Sequence, residues 1–396
     1  MKFGKIALLN LTIIGAFQSY FVFANDIENN VLTDDNESGI APRNVRFNKF
    51  AVLDTSFEGL PLVPGSYPIS ENPDVAQFLK EGTNCISVVD DKNDHEVIYN
   101  VSELIDIVGG EPTHPSRDRN SGYWDMLLRV IKMRKIGQNK PDKKASNKLR
   151  NEMQLPRRWS NYSVYQVGEA VHDEYPGLHQ SEFIGDLATG HYGPIEYDYD
   201  IIPQRSMSQF LRGIVMLSDI NTWTAGVVGP HNFGAKWYGG RARPEEIAWL
   251  IKTDQITFAP RAVKRELQKI NFDSANAFTQ YPEGSPRHPS WPAMHSAASN
   301  ISFWLQVVMN LTPEQLCEAQ KVDFAVSFAR TVAGVHFEDD NIAGLNMGQE
   351  VVARAIPDYF EAKYGSNKAN VRQKVNEKRF LWEHYNKLAE CDSSDD

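Results

Sequence analysis

The chain has 396 residues, of which 41% are hydrophobic and 11% aromatic, which is enough apolar surface for one large or two medium globular domains. A formal net charge of -10 argues against nucleic acid as the main partner. Cys85, Cys317 and Cys391 are the three cysteines, so at most one disulfide can form and a disulfide framework is excluded.

The N-terminus has the pattern of an export signal. Lys2 and Lys5 precede the mostly apolar run of residues 6–23, and a small residue, Ala24, follows at a suitable cleavage site. Polar residues interrupt the run and no later stretch is long enough to span a bilayer, so a transmembrane anchor is the less favoured alternative. The sequence therefore predicts a signal peptide over residues 1–24, a secreted or periplasmic mature chain, and no stable membrane insertion.

The mature chain is predicted to begin with a loop-rich segment and to continue as a helical domain. Residues 25–120 are rich in Asn, Asp, Gly and Pro and show no long helical period. Over residues 121–390, apolar residues recur at helical spacing in runs separated by prolines such as Pro230, and alternating strands are scarce. The predicted fold is all-α, a helical bundle, with a last helix near residues 370–388 and an acidic tail over residues 391–396.

Three clusters of cations and histidines carry the chemistry of the helical part. The first is KWYGGRARPEEIAWLI, in which Lys236 and Arg243 are seven residues apart. Pro244 suits the first turn of a helix, and the Gly-Gly pair lets the chain fold back so that both cations converge on one ligand. Two surface cations beside a loop are the alternative interpretation of this cluster alone.

The second cluster is HPSWPAMHSAAS, residues 288–299. Its prolines favour an extended backbone, and the apolar run of residues 301–308 begins soon after His295. A helix that begins there would turn free N–H groups and the positive end of its dipole towards an anion, with His295 at the rim. Taken alone, His295 is equally compatible with a helix cap or a core histidine.

The third cluster, ARTVAGVHFEDDNIAG, contains Arg330, His336 and Asp340. On a helix, the four-residue spacing predicts that the Asp340 carboxylate lies one turn from His336 on the same face. It can then fix the imidazole tautomer and leave the other nitrogen free as a ligand or nucleophile, although an ordinary helical His–Asp contact is the alternative. Together, the clusters predict a site for a highly charged oxyanion that needs no divalent metal to neutralise it.

In order and spacing, the clusters resemble the three-part signature that joins type 2 phosphatidic acid phosphatases, bacterial acid phosphatases and vanadium-dependent haloperoxidases. The resemblance spans residues 236–344. The octapeptide from His288 to His295 is similar to HPSYPSGH, the second motif of the vanadium bromoperoxidases, because it keeps a histidine seven residues before the second one. The first and third parts match as Lys236, Arg243 and Pro244, and as Arg330, His336 and Asp340.

The resemblance implies an all-helical fold built on four-helix bundles and one vanadate per chain. It implies that His336 is the axial vanadium ligand, that His295 is the general acid–base, and that Lys236 polarises the bound oxidant. His288 and Trp291 would line the substrate and halide pocket. The partners implied are hydrogen peroxide, bromide or iodide and small organic substrates, with hypohalous acid as product. The groups implied to bind the oxyanion are Lys236, Arg243, Arg330 and the backbone N–H of Met294.

Three residues depart from the signature, and one of them, Ala329, replaces a small serine in the third part. Ala293 replaces a serine and cannot donate a side-chain hydrogen bond, a loss that costs about 1.5–3 kcal/mol of anion binding. Met294 replaces a glycine, keeps a backbone N–H, disfavours positive φ and carries an oxidisable thioether.

Two alternative functions therefore stay open. One is an acid phosphatase in which phosphate occupies the same site, His336 is phosphorylated and His295 protonates the leaving oxygen. The other is an oxyanion-binding protein with weakened catalysis.

Overall fold

The structure is a computed structural model in which the predicted signal peptide and acidic tail lie outside the described residues. None of the described helices is long and apolar enough to cross a membrane. Cys317 is disulfide-bonded, whereas Cys85 and Cys391 lie outside the described part. The described residues are 88–90, 93–95, 101–138, 147–148, 151–152, 178–203, 208, 212–281 and 288–383.

Helices dominate the described residues, which confirms the all-α prediction there. A short antiparallel hairpin of β1 (Val88–Asp90) and β2 (Asn93–His95) precedes them. A π-helical turn, Arg212–Met216, runs directly into the fourth helix. The helices are α1 (Val101–Ile107), α2 (Gly122–Gln138), α3 (Leu178–Ala188), α4 (Leu217–Gly239), α5 (Pro244–Lys252), α6 (Arg261–Leu267), α7 (Ala275–Phe278), α8 (Met294–Ala298), α9 (Ile301–Val308), α10 (Pro313–Val332), α11 (Glu338–Tyr364) and α12 (Lys368–Lys378).

The helices bury two main hydrophobic clusters. The larger one draws on α3, α4 and α8 to α12, and α1 adds Leu104 and Ile105 to it. The smaller one is formed by α2, α5, α6 and α7 with Phe337. The link between α4 and α5 passes from the first cluster to the second, so residues 240–243 lie where the two meet.

Pro230 was expected to separate two helices, and this expectation is wrong because the residue lies inside α4. An internal proline costs a helix about 3 kcal/mol. On either side of it, Val227, Val228 and Ala235 are buried in the larger cluster. Burial contributes roughly 1.5–3 kcal/mol for each valine alone, so packing outweighs the proline.

The last helix is shorter than the predicted span near residues 370–388, since α12 ends at Lys378. The chain then leaves the helix to bind α11. The backbone N–H of Phe380 donates to Gln349 Oε1 at 2.9 Å, and that of Trp382 donates to Asn346 Oδ1 at 2.9 Å. These side-chain acceptors replace the helical carbonyls that would otherwise extend α12.

A close crossing of α11 over α8 places the second cluster of the sequence. A Cβ at Gly344 would lie 2.4 Å from the carbonyl oxygen of Ala293, and one at Gly348 would lie 1.9 Å from that of Ala297. Both distances are too short for any side chain, so only glycine permits this approach. The glycines therefore bring the turn that carries His295 against α11.

Candidate oxyanion site

Gly240 and Pro244 bring the two cations of the first cluster together. Gly240 ends α4 in the left-handed conformation at φ 59° and donates its N–H to the carbonyl of Lys236. Arg243 is the N-cap of α5, where its N–H donates to Glu246 Oε2 at 3.1 Å and Pro244 occupies the first turn. The chain thus reverses between Lys236 and Arg243, as the glycine pair predicted.

Both cations hold the loop that carries the second cluster. Lys236 Nζ, fully buried, donates to the carbonyls of Pro289 at 2.9 Å and Ser290 at 3.0 Å. Arg243 Nε donates to the carbonyl of His288 at 2.9 Å, and one Arg243 terminal nitrogen donates to that of Val335 at 2.9 Å. Arg243 therefore joins the second and third clusters, which lie far apart in the sequence.

His336 lies between Arg243 on one side and Asp340 on the other. Its Nε2 is 3.4 Å from an Arg243 terminal nitrogen, and its Nδ1 is 3.3 Å from Asp340 Oδ2 and 3.3 Å from Ser290 Oγ. Because a guanidinium can only donate, Nε2 accepts and the proton of the neutral ring is on Nδ1. The expected pairing of His336 with Asp340 is present, and it leaves the Nε2 lone pair facing a cation.

The four-residue spacing had suggested that His336 and Asp340 pair within one helix, but His336 lies outside α11. His336 precedes Phe337, the N-cap of α11, and Asp340 is the third residue of that helix. The Asp340 carboxylate accepts the Phe337 N–H at 2.8 Å, so it caps the helix and contacts the histidine at the same time. The chain is turned towards Asp340 by this cap rather than by a helical turn.

The two site histidines share an electropositive surrounding. Burial and then the charges of Arg243 and Lys236 hold the pKa of His336 well below its ordinary value. Burial and then the charges of Arg330, His336 and Lys236 do the same for the pKa of the half-buried His295. Both rings are therefore neutral near neutral pH, and the space around them is subject to the charges of all three predicted cations.

Arg330 comes to this space from the last turn of α10. It is 2% exposed and donates to the hydroxyl of Tyr281, whose ring lies 6.0 Å from the guanidinium carbon. No sequence pattern indicated Tyr281 as a partner of Arg330, because 49 residues separate the two. The hydroxyl and ring of Tyr281 therefore fix the orientation of the Arg330 guanidinium.

His288 and Trp291 were predicted to line a halide pocket. The His288 ring packs edge-on against Phe233 at 5.2 Å, and its Nδ1 is 3.1 Å from an Arg243 terminal nitrogen. Trp291 is 3% exposed, belongs to the larger hydrophobic cluster and lies against Gly239. His288 thus adjoins the cations, whereas Trp291 packs in the core, and their role towards halide stays a prediction.

The departures at 293 and 294 leave the backbone of the turn regular. Met294 is the first residue of α8, and Asp254 is the one non-glycine residue of the described ranges with positive φ, so position 294 does not require glycine. The Met294 methyl group lies near Gly229 of α4, and the Ala293 N–H donates to the Asp340 carbonyl at 2.9 Å. The loss at this turn is therefore the missing hydroxyl of residue 293.

The helix predicted after His295 is two helices. α8 has five residues and the chain breaks at Asn300 before α9 begins. Asp323 on α10 stabilises this break, because its carboxylate accepts the N–H groups of Ile301 at 3.1 Å and Ser302 at 2.9 Å at the start of α9. His295 therefore stands on a short turn that is held by its neighbours.

The sequence patterns did not indicate roles for Arg241 and Ser290, although these residues lie in the segments RAR and HPS, next to Arg243 and His288. Arg241 is fully buried and binds Asp339 Oδ1 and Asp340 Oδ1, each at 2.7 Å. Ser290 donates its hydroxyl to Asp340 Oδ2. The two arginines of the RAR segment were visible in the sequence, but the pattern does not indicate which of them binds carboxylates.

Comparison with known proteins assigns no family, because no family model and no curated protein matches this chain. Within the described residues, no group of three or more His, Cys, Asp or Glu could hold a metal ion. What the site binds must therefore follow from its own donors and charges.

Proposed function

We propose that the chain is a vanadium haloperoxidase-like enzyme that holds one vanadate and oxidises bromide or iodide with hydrogen peroxide to hypohalous acid. The observation that carries the proposal is the environment of Arg243. Its side chain is 1% exposed, and its acceptors are the carbonyls of His288 and Val335 and the rings of His288 and His336. None of these acceptors is a carboxylate, so no ion pair within the described residues compensates the guanidinium charge.

Arg241, two residues earlier, is the internal comparison. It is equally buried but binds two carboxylates, Asp339 and Asp340. A buried charge without a counter-ion destabilises a fold by several kcal/mol, so an anion that binds beside Arg243 would remove much of this cost. This contrast supports an oxyanion beside Arg243 and His336 and assigns Arg241 to the scaffold.

The donors present fit vanadate. A single ring nitrogen, His336 Nε2, offers a lone pair beside Arg243, and the charges of Lys236 and Arg330 also act on this ring. The N–H groups of Met294 and His295 lie in the first turn of α8, where a helix has no acceptor of its own. Arginine forks match the oxygens of such an anion, and lysine adds a point charge.

Bound vanadate would supply the Lewis acidity that activates hydrogen peroxide towards halide. The protein's own part is then binding, orientation and proton transfer. His295, neutral because of its lowered pKa, can accept a proton from hydrogen peroxide at a ring nitrogen. Lys236, held by two carbonyls, keeps its charge at a fixed place where negative charge develops.

The test is reconstitution. Purified protein is incubated with orthovanadate, freed of excess by gel filtration and assayed for bromination of a phenol or diketone with peroxide and bromide. We expect a rate that depends on vanadate and is abolished by His336→Gln, whereas Arg379→Gln, which removes an ion pair with Glu350 at the surface, leaves it unchanged. Absence of any vanadate-dependent rate in the wild type would reject this activity.

Phosphomonoester hydrolysis is the second candidate, because a neutral His336 with its Nε2 lone pair beside Arg243 is also what a phosphoryl-accepting nucleophile needs. Nε2 would form the bond to phosphorus, the ester P–O bond would break, and His295 would protonate the leaving oxygen. The charge of the bound phosphate raises the pKa of His295 and prepares it as that acid. Water would then hydrolyse the P–N bond.

This candidate predicts hydrolysis of an aryl phosphate without added metal, inhibition by vanadate and a phosphohistidine trapped by quenching. Lack of both turnover and adduct would exclude it. Binding of vanadate or phosphate without either reaction would instead support the third possibility, an oxyanion-binding protein, in which the missing hydroxyl at Ala293 is the reason for weak catalysis.

A further inference from the structure

We propose that Arg241 and Ser290 are positioning residues that act through Asp340 to hold the His336 ring with its proton on Nδ1 and its Nε2 towards the oxyanion site. The inference rests on the proposed function for the role of His336. The orientation and tautomer of the ring can nevertheless be measured without any bound anion.

Arg241 immobilises one oxygen of Asp340. It donates to Asp340 Oδ1 and to Asp339 Oδ1 at 2.7 Å each, and to Thr113 Oγ1 at 3.1 Å. Its guanidinium carbon lies 4.3 Å from the centre of the Phe337 ring, which adds a cation–π contact. A guanidinium fixed by carboxylates, a hydroxyl and a ring cannot turn, so Asp340 cannot turn either.

Ser290 controls the other oxygen. Its hydroxyl donates to Asp340 Oδ2, which also accepts the Phe337 N–H at 2.8 Å. A serine hydroxyl has one hydrogen, so Ser290 Oγ, 3.3 Å from His336 Nδ1, can only accept from the ring. Both oxygens that face Nδ1 are therefore acceptors, and this requires a proton on Nδ1.

The backbone of Ser290 is held as firmly as its side chain. Its N–H donates to the carbonyl of Arg241 at 2.8 Å, and its carbonyl accepts from Lys236 Nζ at 3.0 Å. Ser290 thus connects Lys236, Arg241 and His336 through direct hydrogen bonds. A change at this residue should reach the ring without disturbing a helix, because Ser290 lies in a link between helices.

The inference explains why the link between α4 and α5 carries two buried arginines. Arg243 faces Nε2 of His336, and Arg241 binds the carboxylate behind Nδ1. Arg243 therefore contacts the ring nitrogen that faces the oxyanion site, and Arg241 fixes the carboxylate that holds the opposite nitrogen. The charge of Arg241 is compensated by carboxylates, so it stabilises the arrangement without attracting the anion itself.

The experiment uses the full chain labelled with 15N-histidine and long-range 1H–15N correlation spectra, which distinguish the two neutral tautomers. The chain has 10 histidines, and the His336 signals are assigned by their absence in His336→Gln. The variants are Ser290→Ala, Arg241→Gln and the conservative Arg241→Lys. The matched controls are Ser327→Ala, a buried serine bonded to the Asp323 carbonyl, and Arg379→Gln.

We expect the wild type and both controls to show the Nδ1–H form of His336. Ser290→Ala and Arg241→Gln should move its nitrogen shifts towards the average of the two tautomers, and Arg241→Lys should lie between them and the wild type. In equilibrium dialysis, Ser290→Ala should bind orthovanadate about tenfold more weakly, the effect of losing one hydrogen bond to a charged group.

Unchanged shifts and an affinity within twofold of the wild type in Ser290→Ala would overturn the inference while the oxyanion site stands. Ser290→Ala removes only a hydroxyl, so this arm remains decisive if Arg241→Gln fails to fold. If the variants show the tautomer change but the wild type binds neither orthovanadate nor inorganic phosphate, the positioning role is supported and the proposed function is refuted.

Discussion

The close crossing of α11 over α8 makes a quantitative prediction for Gly348→Ala. The added Cβ would meet the Ala297 carbonyl oxygen at 1.9 Å, whereas real Cβ atoms essentially never come closer than 3.0 Å. The contacting atom is backbone on a short helix that is packed on several sides, so the two helices must separate by about an ångström. Overpacking of this kind costs about 1–3 kcal/mol and occasionally more.

We therefore expect Gly348→Ala to lower the free energy of unfolding by about 3 kcal/mol, which corresponds to a Tm lower by roughly 4 °C in a chain of this size. Because α8 carries His295, orthovanadate binding should weaken as well. Thermal unfolding followed by calorimetry and equilibrium dialysis measure the two effects.

The control is Gly185→Ala on α3, where a Cβ would meet nothing within 4 Å. There the helix propensity of alanine should stabilise the protein by about 0.5–1 kcal/mol. If both variants shift Tm in the same direction by similar amounts, the close crossing is not what the glycine is needed for, and the reasoning from it is refuted.

Three further predictions concern the site and its support. Arg243→Lys should weaken orthovanadate binding at least tenfold in equilibrium dialysis, because a lysine lacks the planar fork that spans His288, Val335 and the anion; equal affinity would show that the guanidinium does not bind the anion. Ala293→Ser should strengthen binding about tenfold by restoring a hydroxyl donor at the turn, and no gain would place the limit elsewhere. Burial raises the pKa of Asp323 to about 6, so the folded protein holds the Asp323 proton more tightly than the unfolded chain does. The stability that this proton contributes is therefore lost as the pH rises from about 4 to about 6, and the free energy of unfolding does not change further above that pH. In the wild type, the free energy of unfolding should fall by about 3 kcal/mol between pH values of about 4 and 6, and Asp323→Asn should abolish this fall. Urea unfolding at both pH values measures it, and the same pH dependence in the variant would contradict the raised pKa of Asp323.

Much of the fold could be predicted from the sequence because helical periodicity is local. The runs that became α2, α5, α9, α10 and α11 were recognisable from apolar spacing alone. Helix ends were predicted less well. Pro230 lies inside α4, and α12 ends early because Gln349 and Asn346 of another helix accept its following N–H groups. Such acceptors are distant in sequence and leave no local pattern.

For the site, the spacing of residue types predicted that Lys236, Arg243, Arg330 and the two histidines converge. In the structure Arg243 contacts the His336 ring, and the charges of Lys236 and Arg330 act on both histidines. Spacing could not predict the role of Ser290, because a serine in a proline-rich loop has many possible partners. The glycine that the resembling signature has at position 294 suggested an altered loop geometry, whereas the local conformation is helical and accepts Met294.

By itself, the sequence determined which side chains are available: an all-α pattern, three cationic clusters, and a histidine with an aspartate four residues later. The tertiary structure decided what each of them does. Arg241 and Arg243 are the same residue type two positions apart, yet Arg241 is compensated by carboxylates 98 and 99 residues away, and Arg243 donates to neutral groups 45 and 92 residues away. The energy of a buried charge depends on the atoms packed around it, and only the folded chain specifies those atoms.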